Sequence, residues 1–470
     1  MRAQLPYVEF RLESSKLREM SERLIADPAA TIPGETSAGV CRFCGRPRQS
    51  VTVTPLSQFK DLIPKSAGEN EVTAVCADCA VLLQRAKAHG DAHVASTSKG
   101  EFALPTPLRL DAHEAFTGRG QTIAFLDSGF YAHDDLTKPV DRIVAYHNIF
   151  SPADDRNALV TSDVASWHGM MTSVVAAGNG YLSEGFYRGI APEANLVLVK
   201  IGRSGRIPEK NIQTGLEWIV DNAKKYDIRI VNISAGGDFE QSYLTNPLCQ
   251  TVERAVRAGL IIVCAVGNAG MSPRHPVLPP ASSPAVISVG GLDDQNSLDR
   301  AKRGMYRSSY GPTIDGLQKP EIIAPGIWVA APILPATPTA DQAVLYSSLD
   351  AAADSELPSI IECSAGVDTD LDNAMDLPAP VLRQLISIKL REGNVINGNY
   401  KYVDGTSFAS PIVASIIACM LEANPKLTPL QIKKILIDTA ERVPGVETDR
   451  QGWGVVVPRK AVEAAVASQT

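Results

Sequence analysis

The chain has 470 residues, of which 44% are hydrophobic and 21% are charged, a composition typical of folded globular domains rather than of disordered chains. At about 150 residues per domain, this length favours two or three domains. The 45 basic and 52 acidic residues give a net charge of −7, which leaves no broad basic surface for gripping nucleic acid. We therefore expect no nucleic-acid partner.

The first twenty residues lack the apolar run of a secretory signal, and no stretch of about 18 apolar residues that could span a bilayer is found in the sequence. The eight cysteines are too few and too unevenly placed for a disulfide framework. We therefore expect a cytoplasmic protein with no membrane partner.

Four of the cysteines form two pairs, each with two residues between its members: Cys41, Cys44, Cys76 and Cys79. Two such pairs can supply four thiolates to one tetrahedral zinc ion, and the arrangement resembles treble-clef zinc fingers, although the pairs are farther apart than in zinc ribbons. Redox-active pairs and two disulfides are the competing interpretations, but neither has the surrounding βαβ pattern or the secretory context that would favour it. We predict one structural Zn²⁺ site, with His89 and His93 facing solvent because four thiolates complete it.

A small polar run over residues 95–100 is typical of an exposed linker and places a domain boundary near residue 100. This boundary predicts a zinc-binding domain with its linker over residues 1–100 and a second domain over residues 101–470. We expect the first domain to dock a regulatory protein partner.

From residue 105 onward, short runs rich in β-branched residues alternate with segments of helical periodicity. Buried strands are predicted over residues 121–126, 195–201, 228–233, 260–265 and 285–289. Helices are predicted over residues 170–177, 212–225 and 248–258. This alternation predicts an α/β fold in which a mostly parallel sheet carries helices on both faces. In such sheets ligands bind beyond the carboxyl ends of the strands.

An irregular stretch over residues 331–402 interrupts this alternation. It is Pro-rich at first, then acidic, with nine Asp or Glu and no Lys or Arg over residues 341–376, and it ends in a helix-like segment over 381–391. We interpret it as an insertion outside the sheet. Because it leads into the segment that contains Ser407, we expect a lid or exosite near that residue, the alternative being a solvated acidic loop without a role.

Four polar residues stand where predicted strands end or predicted helices begin. Asp127 follows the first strand, His168 precedes an apolar helical run, and Asn268 follows another strand. Ser407 lies at the start of a long apolar segment, where the unpaired N–H groups of a helix amino terminus stabilise developing negative charge. Each residue alone is also compatible with ordinary turn or capping chemistry.

Together and in this order, these residues resemble the subtilisin-like serine proteases, the subtilases. The motifs that carry the resemblance are Asp127-Ser-Gly, His168-Gly, Gly267-Asn268 and Gly405-Thr-Ser-Phe-Ala-Ser-Pro. Segments between them agree in the same order: residues 187–194, 232–237, 308–312 and 319–326. The match covers residues 105–330 and 400–465 and implies a subtilisin-like fold for the second domain.

The resemblance implies a serine endopeptidase acting on protein or peptide substrates. In that scheme Ser407 attacks the scissile carbonyl, His168 transfers its proton to the leaving amine, and Asp127 orients the imidazole. Asn268 and the backbone N–H of Ser407 would bind the oxyanion.

Substrate contacts are implied by the same resemblance. Ser234, Gly236 and Gly237 match the segment that pairs with an extended peptide, where glycine permits close approach. One wall of the pocket for the side chain preceding the cleaved bond is matched by Ala265, Val266 and Gly267. Calcium sites are frequent in the family, and the sequence does not identify the ligands of one.

Two departures from the family pattern stand out. Met170 follows His168-Gly where the family usually has threonine, which bears on local packing but not on the triad. The segment between Gly326 and Ser407 is much longer than in compact members and contains the acidic insertion. The cysteine-containing segment does not resemble the inhibitory propeptide of secreted subtilases, so we expect control by a partner through residues 1–100 or by the insertion.

Two other classes of protein are compatible with these residues. A catalytically silent zinc-containing binding protein on a protease scaffold is the main alternative, and a sensor-gated effector, whose zinc module releases proteolysis, is another. A related carboxyl-serine protease family has an acid in place of the histidine, and His168 argues against membership in it.

Overall fold

The computed structural model describes residues 36–40, 47–55, 72–75, 103–113, 115–151, 156–203 and 205–469. The chain divides into two compact units. The small unit is Met1–Ser96 with Ser297–Lys302, and the large unit is Thr97–Asn296 with Arg303–Thr470.

The small unit contains a three-stranded antiparallel sheet of β1 (Thr36–Val40), β2 (Pro47–Pro55) and β3 (Val72–Val75), with β2 in the centre. Val40 pairs with Pro47, and Val75 pairs with Thr52, so β1 and β3 both run toward the end at which β2 begins. The predicted zinc ligands Cys41, Cys44, Cys76 and Cys79, and likewise His89 and His93, lie outside the described residues.

The large unit is built on an eight-stranded sheet with the order β10-β9-β8-β7-β4-β6-β5, in which β11 also pairs with β9. Its strands are β4 (Thr122–Asp127), β5 (Ile143–Asn148), β6 (Asn195–Lys200), β7 (Ile228–Ile233), β8 (Ile261–Ala265), β9 (Ile287–Asp293), β10 (Gly304–Met305) and β11 (Ile322–Pro325). Every strand pair in it is parallel except β9 with β10. The prediction of a mostly parallel sheet is therefore confirmed.

Helices follow four of these eight strands, β4 to β7. In chain order the helices are α1 (Thr106–Arg109), α2 (Asp134–Thr137), α3 (Trp167–Ala177), α4 (Glu209–Asn222), α5 (Pro247–Arg257), α6 (Pro338–Ala351), α7 (Leu357–Cys363), α8 (Thr369–Ala374), α9 (Ala379–Glu392), α10 (Thr406–Ala423), α11 (Pro429–Thr439), α12 (Thr448–Gln451) and α13 (Pro458–Ala467). The five predicted strands correspond to β4, β6, β7, β8 and β9, and the three predicted helices correspond to α3, α4 and α5, with ends shifted by a few residues.

Strand β4 shows why both faces of the sheet are covered, because all six of its residues are buried. Ile123 and Phe125 belong to the apolar cluster that includes α3, α10 and α13. Ala124 and Leu126 belong to the cluster on the opposite face, which includes α4 and α5. Successive side chains of a strand point to opposite faces, so this run of apolar residues contributes to two cores.

Among the described residues, α10 is the one helix long and apolar enough to cross a membrane, and 89% of it is buried inside the structure. Twelve of its eighteen side chains belong to the main apolar cluster. A helix that is apolar on every side is expected when neighbouring elements surround it.

The stretch over residues 331–402 has its own architecture. A second antiparallel sheet, with order β12-β14-β13, is formed by β12 (Val329–Pro332), β13 (Val395–Asn397) and β14 (Tyr400–Val403). Helices α6 to α9 lie between β12 and β13 and share a separate apolar cluster. The helix predicted over 381–391 is part of α9. The rest, which the sequence pattern describes as irregular, is largely helical; α7 and α8 are too short to produce a periodic signal.

Candidate active site

The carboxyl end of β4 and the start of α3 bring a carboxylate and an imidazole together. Asp127 is the last residue of β4 and is 1% exposed, and its Oδ1 lies 2.7 Å from Nδ1 of His168, the second residue of α3. Ser128 N–H donates to the same oxygen at 2.7 Å, and Thr172, one turn further along α3, donates its hydroxyl to Oδ2 at 3.2 Å. These donors fix the carboxylate, so its orientation toward His168 is built into the fold.

The pKa of His168 reflects two opposing effects. Burial disfavours the imidazolium, but the charge of Asp127 and the hydrogen bond to it outweigh burial and raise the pKa above that of an ordinary histidine. The side chain is nevertheless 20% exposed, so one edge of the imidazole can be reached from solvent. An imidazole whose charged form is stabilised and accessible is suited to general base and acid chemistry.

The start of α10 places Ser407 in the same region. Gly405 caps the helix with a φ of +134°, a conformation that favours glycine, and its N–H donates to the carbonyl oxygen of Gly326 at 2.7 Å. Ser407 is half-buried, and its hydroxyl donates to the carbonyl oxygen of Ser234 at 3.3 Å. The ring of the next residue, Phe408, lies 5.8 Å from that of His168 between centroids. The start of α10, which carries Ser407, therefore lies beside the imidazole of His168 through Phe408.

Asn268, just beyond the end of β8, is exposed and oriented by the segment that contains Ser407. Its Oδ1 accepts hydrogen bonds from Thr406 N–H at 2.9 Å and from the Thr406 hydroxyl at 3.1 Å. A backbone N–H can only donate, so this contact assigns the amide oxygen and leaves Nδ2 as the available donor. A Cβ atom on Gly405 would lie 3.7 Å from Nδ2, so this donor lies beside the start of α10.

The predicted substrate-contacting residues differ in how accessible they are. Gly236 is exposed, and a Cβ atom there would meet only the carbonyl oxygen of Pro279 and Cβ of Leu278 in loose contact. The N–H of Gly237 is already donated to that carbonyl oxygen at 2.6 Å. Ser234 is buried and donates its hydroxyl to the carbonyl oxygen of Ser407 at 2.8 Å. Exposed backbone for pairing with a peptide is therefore found at Gly236.

The predicted wall of the pocket for the side chain preceding the cleaved bond lies at the end of β8. Ala265 and Val266 are buried, and Val266 packs in the cluster that includes α4 and α5, so its side chain contributes to the core. Gly267 has a φ of +104°, and a Cβ atom there would crowd the hydroxyl of Ser309. Its N–H is donated to the Thr406 hydroxyl at 3.2 Å.

A buried polar chain, which sequence reasoning missed, connects β7 with α10. Ser410 donates its hydroxyl to Oδ1 of Asn232 at 2.7 Å, and Asn232 donates from Nδ2 to the Ser234 hydroxyl at 3.0 Å. Ser234 in turn donates to the carbonyl oxygen of Ser407. The available signal was Asn232 itself, a polar residue inside a buried apolar strand, since a buried amide needs partners.

Comparison with known proteins agrees with this geometry. A family model described as the subtilase family matches residues 118–454. Serine protease AprX of Bacillus subtilis (strain 168) is 30% identical over 364 residues, which cover 74% of this chain and 67% of the relative.

Two solved structures show the same fold. The CspB protease of Clostridium perfringens aligns with a TM-score of 0.55 at 15% identity, over 77% of this chain and 98% of its own. Fervidolysin from Fervidobacterium pennivorans aligns with a TM-score of 0.50 at 20% identity, over 76% of this chain and 45% of its own.

The fold and the matched length define the class: the chain belongs to the subtilase family. It is a subtilisin-like serine endopeptidase, and its substrates are proteins or peptides.

Within the described residues, no group of three or more His, Cys, Asp or Glu side chains is arranged to hold a metal ion. The zinc site predicted at the four paired cysteines falls outside that part of the chain and stays a prediction.

Proposed function

We propose that Ser407, His168 and Asp127 form the catalytic triad of this endopeptidase. The observation that carries the proposal is the 2.7 Å contact of a buried carboxylate with a partly exposed imidazole, whose ring also lies beside that of Phe408, the residue after Ser407 at the amino terminus of α10. This is the arrangement that nucleophilic serine catalysis requires.

In the proposed reaction, the Ser407 hydroxyl leaves the carbonyl oxygen of Ser234 and turns toward Nε2 of His168. As Oγ forms a bond to the scissile carbonyl carbon, its proton passes to Nε2, and Asp127 stabilises the imidazolium through Nδ1–H. The imidazolium then protonates the leaving amine, which releases one product and leaves an acyl-enzyme. A water molecule, deprotonated by the same imidazole, hydrolyses the ester and restores the hydroxyl.

The oxyanion of the tetrahedral intermediate would be bound by Nδ2 of Asn268 and the backbone N–H of Ser407. Asn268 supports this role because Thr406 occupies its oxygen and so directs the amide nitrogen. The first N–H groups of α10 have no intrahelical acceptors, and the helix dipole adds partial positive charge at the same point. Donors fixed in this way stabilise the transition state without reorganising.

The substrate is proposed to bind as an extended polypeptide along Ser234 and Gly236, with Gly237 closing that segment against Pro279. The side chain preceding the cleaved bond would lie beside Ala265 and Gly267. Val266 supports that wall from the core rather than lining it.

Labelling with a fluorophosphonate tests the triad directly. We expect the wild-type protein to be labelled and Ser407→Ala to remain unlabelled and inactive toward a fluorogenic peptide. Ser410→Ala is the matched control, because it removes a hydroxyl from the same helix, at a residue that is fully buried and bonded to Asn232. Labelling that persists in Ser407→Ala, or a wild type that hydrolyses nothing and is never labelled, would overturn the assignment and favour a silent scaffold.

We further propose that Cys41, Cys44, Cys76 and Cys79 hold one structural Zn²⁺. Their pairing supports this, as does the direction of β1 and β3, which both run toward the end of the sheet at which β2 begins. Metal analysis of the purified full chain should find one zinc per chain, falling in Cys41→Ser and unchanged in Cys363→Ser, which alters an exposed cysteine outside the pairs. One zinc per chain in both variants would contradict the assignment.

Regulation is proposed to involve the insertion or residues 1–100. Connectivity supports this for the insertion, since β14 leads through two residues into α10. A contact supports it as well: Ser162, six residues before His168, donates its hydroxyl to the carbonyl oxygen of Pro335 in the insertion at 2.5 Å. Replacing residues 338–392 with a short linker should change cleavage rate or specificity. Unchanged kinetics in a folded variant would contradict a lid or exosite. The cytoplasmic location stays a prediction.

A further inference from the structure

Two exposed apolar side chains stand immediately before His168. Val164 is 81% exposed and Trp167 is 44% exposed. They lie three residues apart across the helical turn Val164–Ser166 and the first residue of α3, and side chains with this spacing share one side of a helix. We call Val164 and Trp167 the apolar ridge.

Hydrogen bonds hold the backbone that carries the apolar ridge. Asp163 caps the turn by accepting from Ala165 N–H at 3.1 Å, and its carbonyl oxygen accepts from Ser166 N–H at 2.7 Å. Ser128, which also contacts Asp127, donates its hydroxyl to the carbonyl oxygen of Ala165 at 2.8 Å. The ridge is therefore fixed to the same backbone that positions the carboxylate.

Trp167 also touches the imidazole directly. Its ring meets that of His168 edge to face, with 5.2 Å between centroids and an interplanar angle of 89°. In the proposed reaction Nε2 of His168 approaches the leaving nitrogen to hydrogen-bond distance. Successive residues of an extended peptide are about 3.3 Å apart, so side chains next to the cleaved bond pass within reach of Trp167.

We infer that the apolar ridge is a substrate-contacting surface that selects a large apolar side chain within two residues of the cleaved bond. This inference rests on the proposed function, because it places the substrate by its contact with His168. The occupant is the substrate polypeptide itself, since the ridge is continuous with the imidazole that the substrate covers. A rigid, half-exposed indole gives large contact area with little conformational entropy to lose on binding.

The test compares Trp167→Ala and Trp167→Phe with wild type on internally quenched peptides. Gly, Ala, Leu and Phe are placed in turn at the two positions on each side of the cleaved bond. Trp453→Ala is the matched control: Trp453 is 51% exposed, and its contacts are with Arg442 and Glu321. Melting temperatures establish that each variant is folded.

At one of the four positions, wild type should prefer Leu or Phe to Gly, and Trp167→Ala should lose about tenfold or more of this preference in kcat/KM. Trp167→Phe should keep most of it, and Trp453→Ala all of it. The position affected shows whether the ridge binds a side chain before the cleaved bond or one after it, and either result supports the inference.

Two results would overturn it. One is an unchanged preference in Trp167→Ala. The other is an equal fall in kcat for every peptide, glycine included, with a shifted acid limb of the pH profile, since Trp167 would then act only by packing against His168. Ser407→Ala, assayed in parallel, separates failure of the proposed triad from failure of this inference. Cleavage that survives in Ser407→Ala would overturn the triad, whereas the inference about the apolar ridge is tested by the side-chain preference of the Trp167 variants.

Discussion

Two histidine–aspartate pairs in the large unit contain the same chemical groups in contrasting settings. In one, Nδ1 of His168 lies 2.7 Å from Oδ1 of Asp127 and the histidine is 20% exposed. In the other, Nδ1 of His133 lies 3.8 Å from Oδ2 of Asp135 and the histidine is 2% exposed. His133 Nδ1 instead accepts from Asp135 N–H at 3.2 Å and caps α2.

The contrast appears in the pKa values. Burial disfavours the charged imidazole in both pairs. At His168 the charge of Asp127 and the hydrogen bond to it prevail and raise the pKa, whereas at His133 burial prevails over the charges of Asp135 and Asp134 and lowers the pKa. A direct hydrogen bond and partial access, rather than the presence of both residue types, therefore distinguish the proposed catalytic pair.

The partners of Asp135 explain why the second pair is structural. Its Oδ2 accepts from the Tyr400 hydroxyl at 2.7 Å, and its Oδ1 accepts from Leu182 N–H at 3.0 Å. Both oxygens are thus occupied by groups from distant parts of the chain, so this carboxylate connects β14 and α2 rather than orienting an imidazole.

Replacing each carboxylate with its amide should separate the two pairs most strongly. Asp127→Asn should lower kcat by about 10⁴-fold, because an amide cannot hold the imidazole in the required tautomer or stabilise its charge. Asp135→Asn should lower the melting temperature and leave kcat of the folded protein unchanged. Peptide hydrolysis measures kcat and thermal unfolding measures the melting temperature. Equal losses of kcat in Asp127→Asn and Asp135→Asn would contradict the distinction between a catalytic and a structural pair.

The pH–rate profile sharpens the same comparison. His168 must be neutral to accept a proton, and its pKa is raised, so the acid limb of kcat/KM should have a midpoint above the ordinary histidine value of about 6.5. In Asp127→Asn burial remains without the opposing charge, so the midpoint of the residual activity should move to lower pH. If the midpoint moves in His133→Asn instead, the acid limb reports the titration of His133 and the prediction for His168 is wrong.

The sequence could predict much of the sheet because β-branched runs such as that of β4 are buried on both faces. It also pointed to Asp127, His168, Asn268 and Ser407, through a resemblance carried by short motifs at strand and helix ends. The sequence could not show that His168 would be partly exposed and 2.7 Å from its carboxylate while His133 is buried and 3.8 Å from its own, because burial and distance depend on packing between distant segments.

The helices of the insertion were predicted only in part for a related physical reason. α9 has a regular apolar spacing over three turns, whereas the side chains of α7 and α8 become buried only when the separate cluster of this region assembles. Short helices depend on such packing rather than on local propensity.

Tyr400→Phe tests whether Asp135 is held by the tyrosine. The variant leaves Oδ2 of a fully buried carboxylate without its donor, which should lower the free energy of unfolding by about 1–3 kcal/mol. Denaturant unfolding in a Ser407→Ala background avoids self-digestion, and kcat is measured in the active background. Unchanged stability would show that the hydroxyl contributes nothing, and a kcat loss as large as that of Asp127→Asn would place the tyrosine in the catalytic pair instead.

The smallest effect is expected in how stability depends on pH, where the two histidines contribute with opposite signs. The folded pKa of His133 is lowered, so below about pH 6.5 the unfolded chain binds a proton that the folded chain refuses, and stability falls as the pH falls. The contribution of His168, whose folded pKa is raised, is present below about pH 6.5 and is lost as the pH rises through that raised value.

His133→Asn keeps a capping acceptor for α2 but removes the titration, so its stability should fall less between about pH 6.5 and 4.5 than that of the parent. A slope identical to the parent's would mean that His133 takes up its proton equally in the folded and unfolded chains, and the electrostatic contrast between the two pairs would then lie in His168 alone.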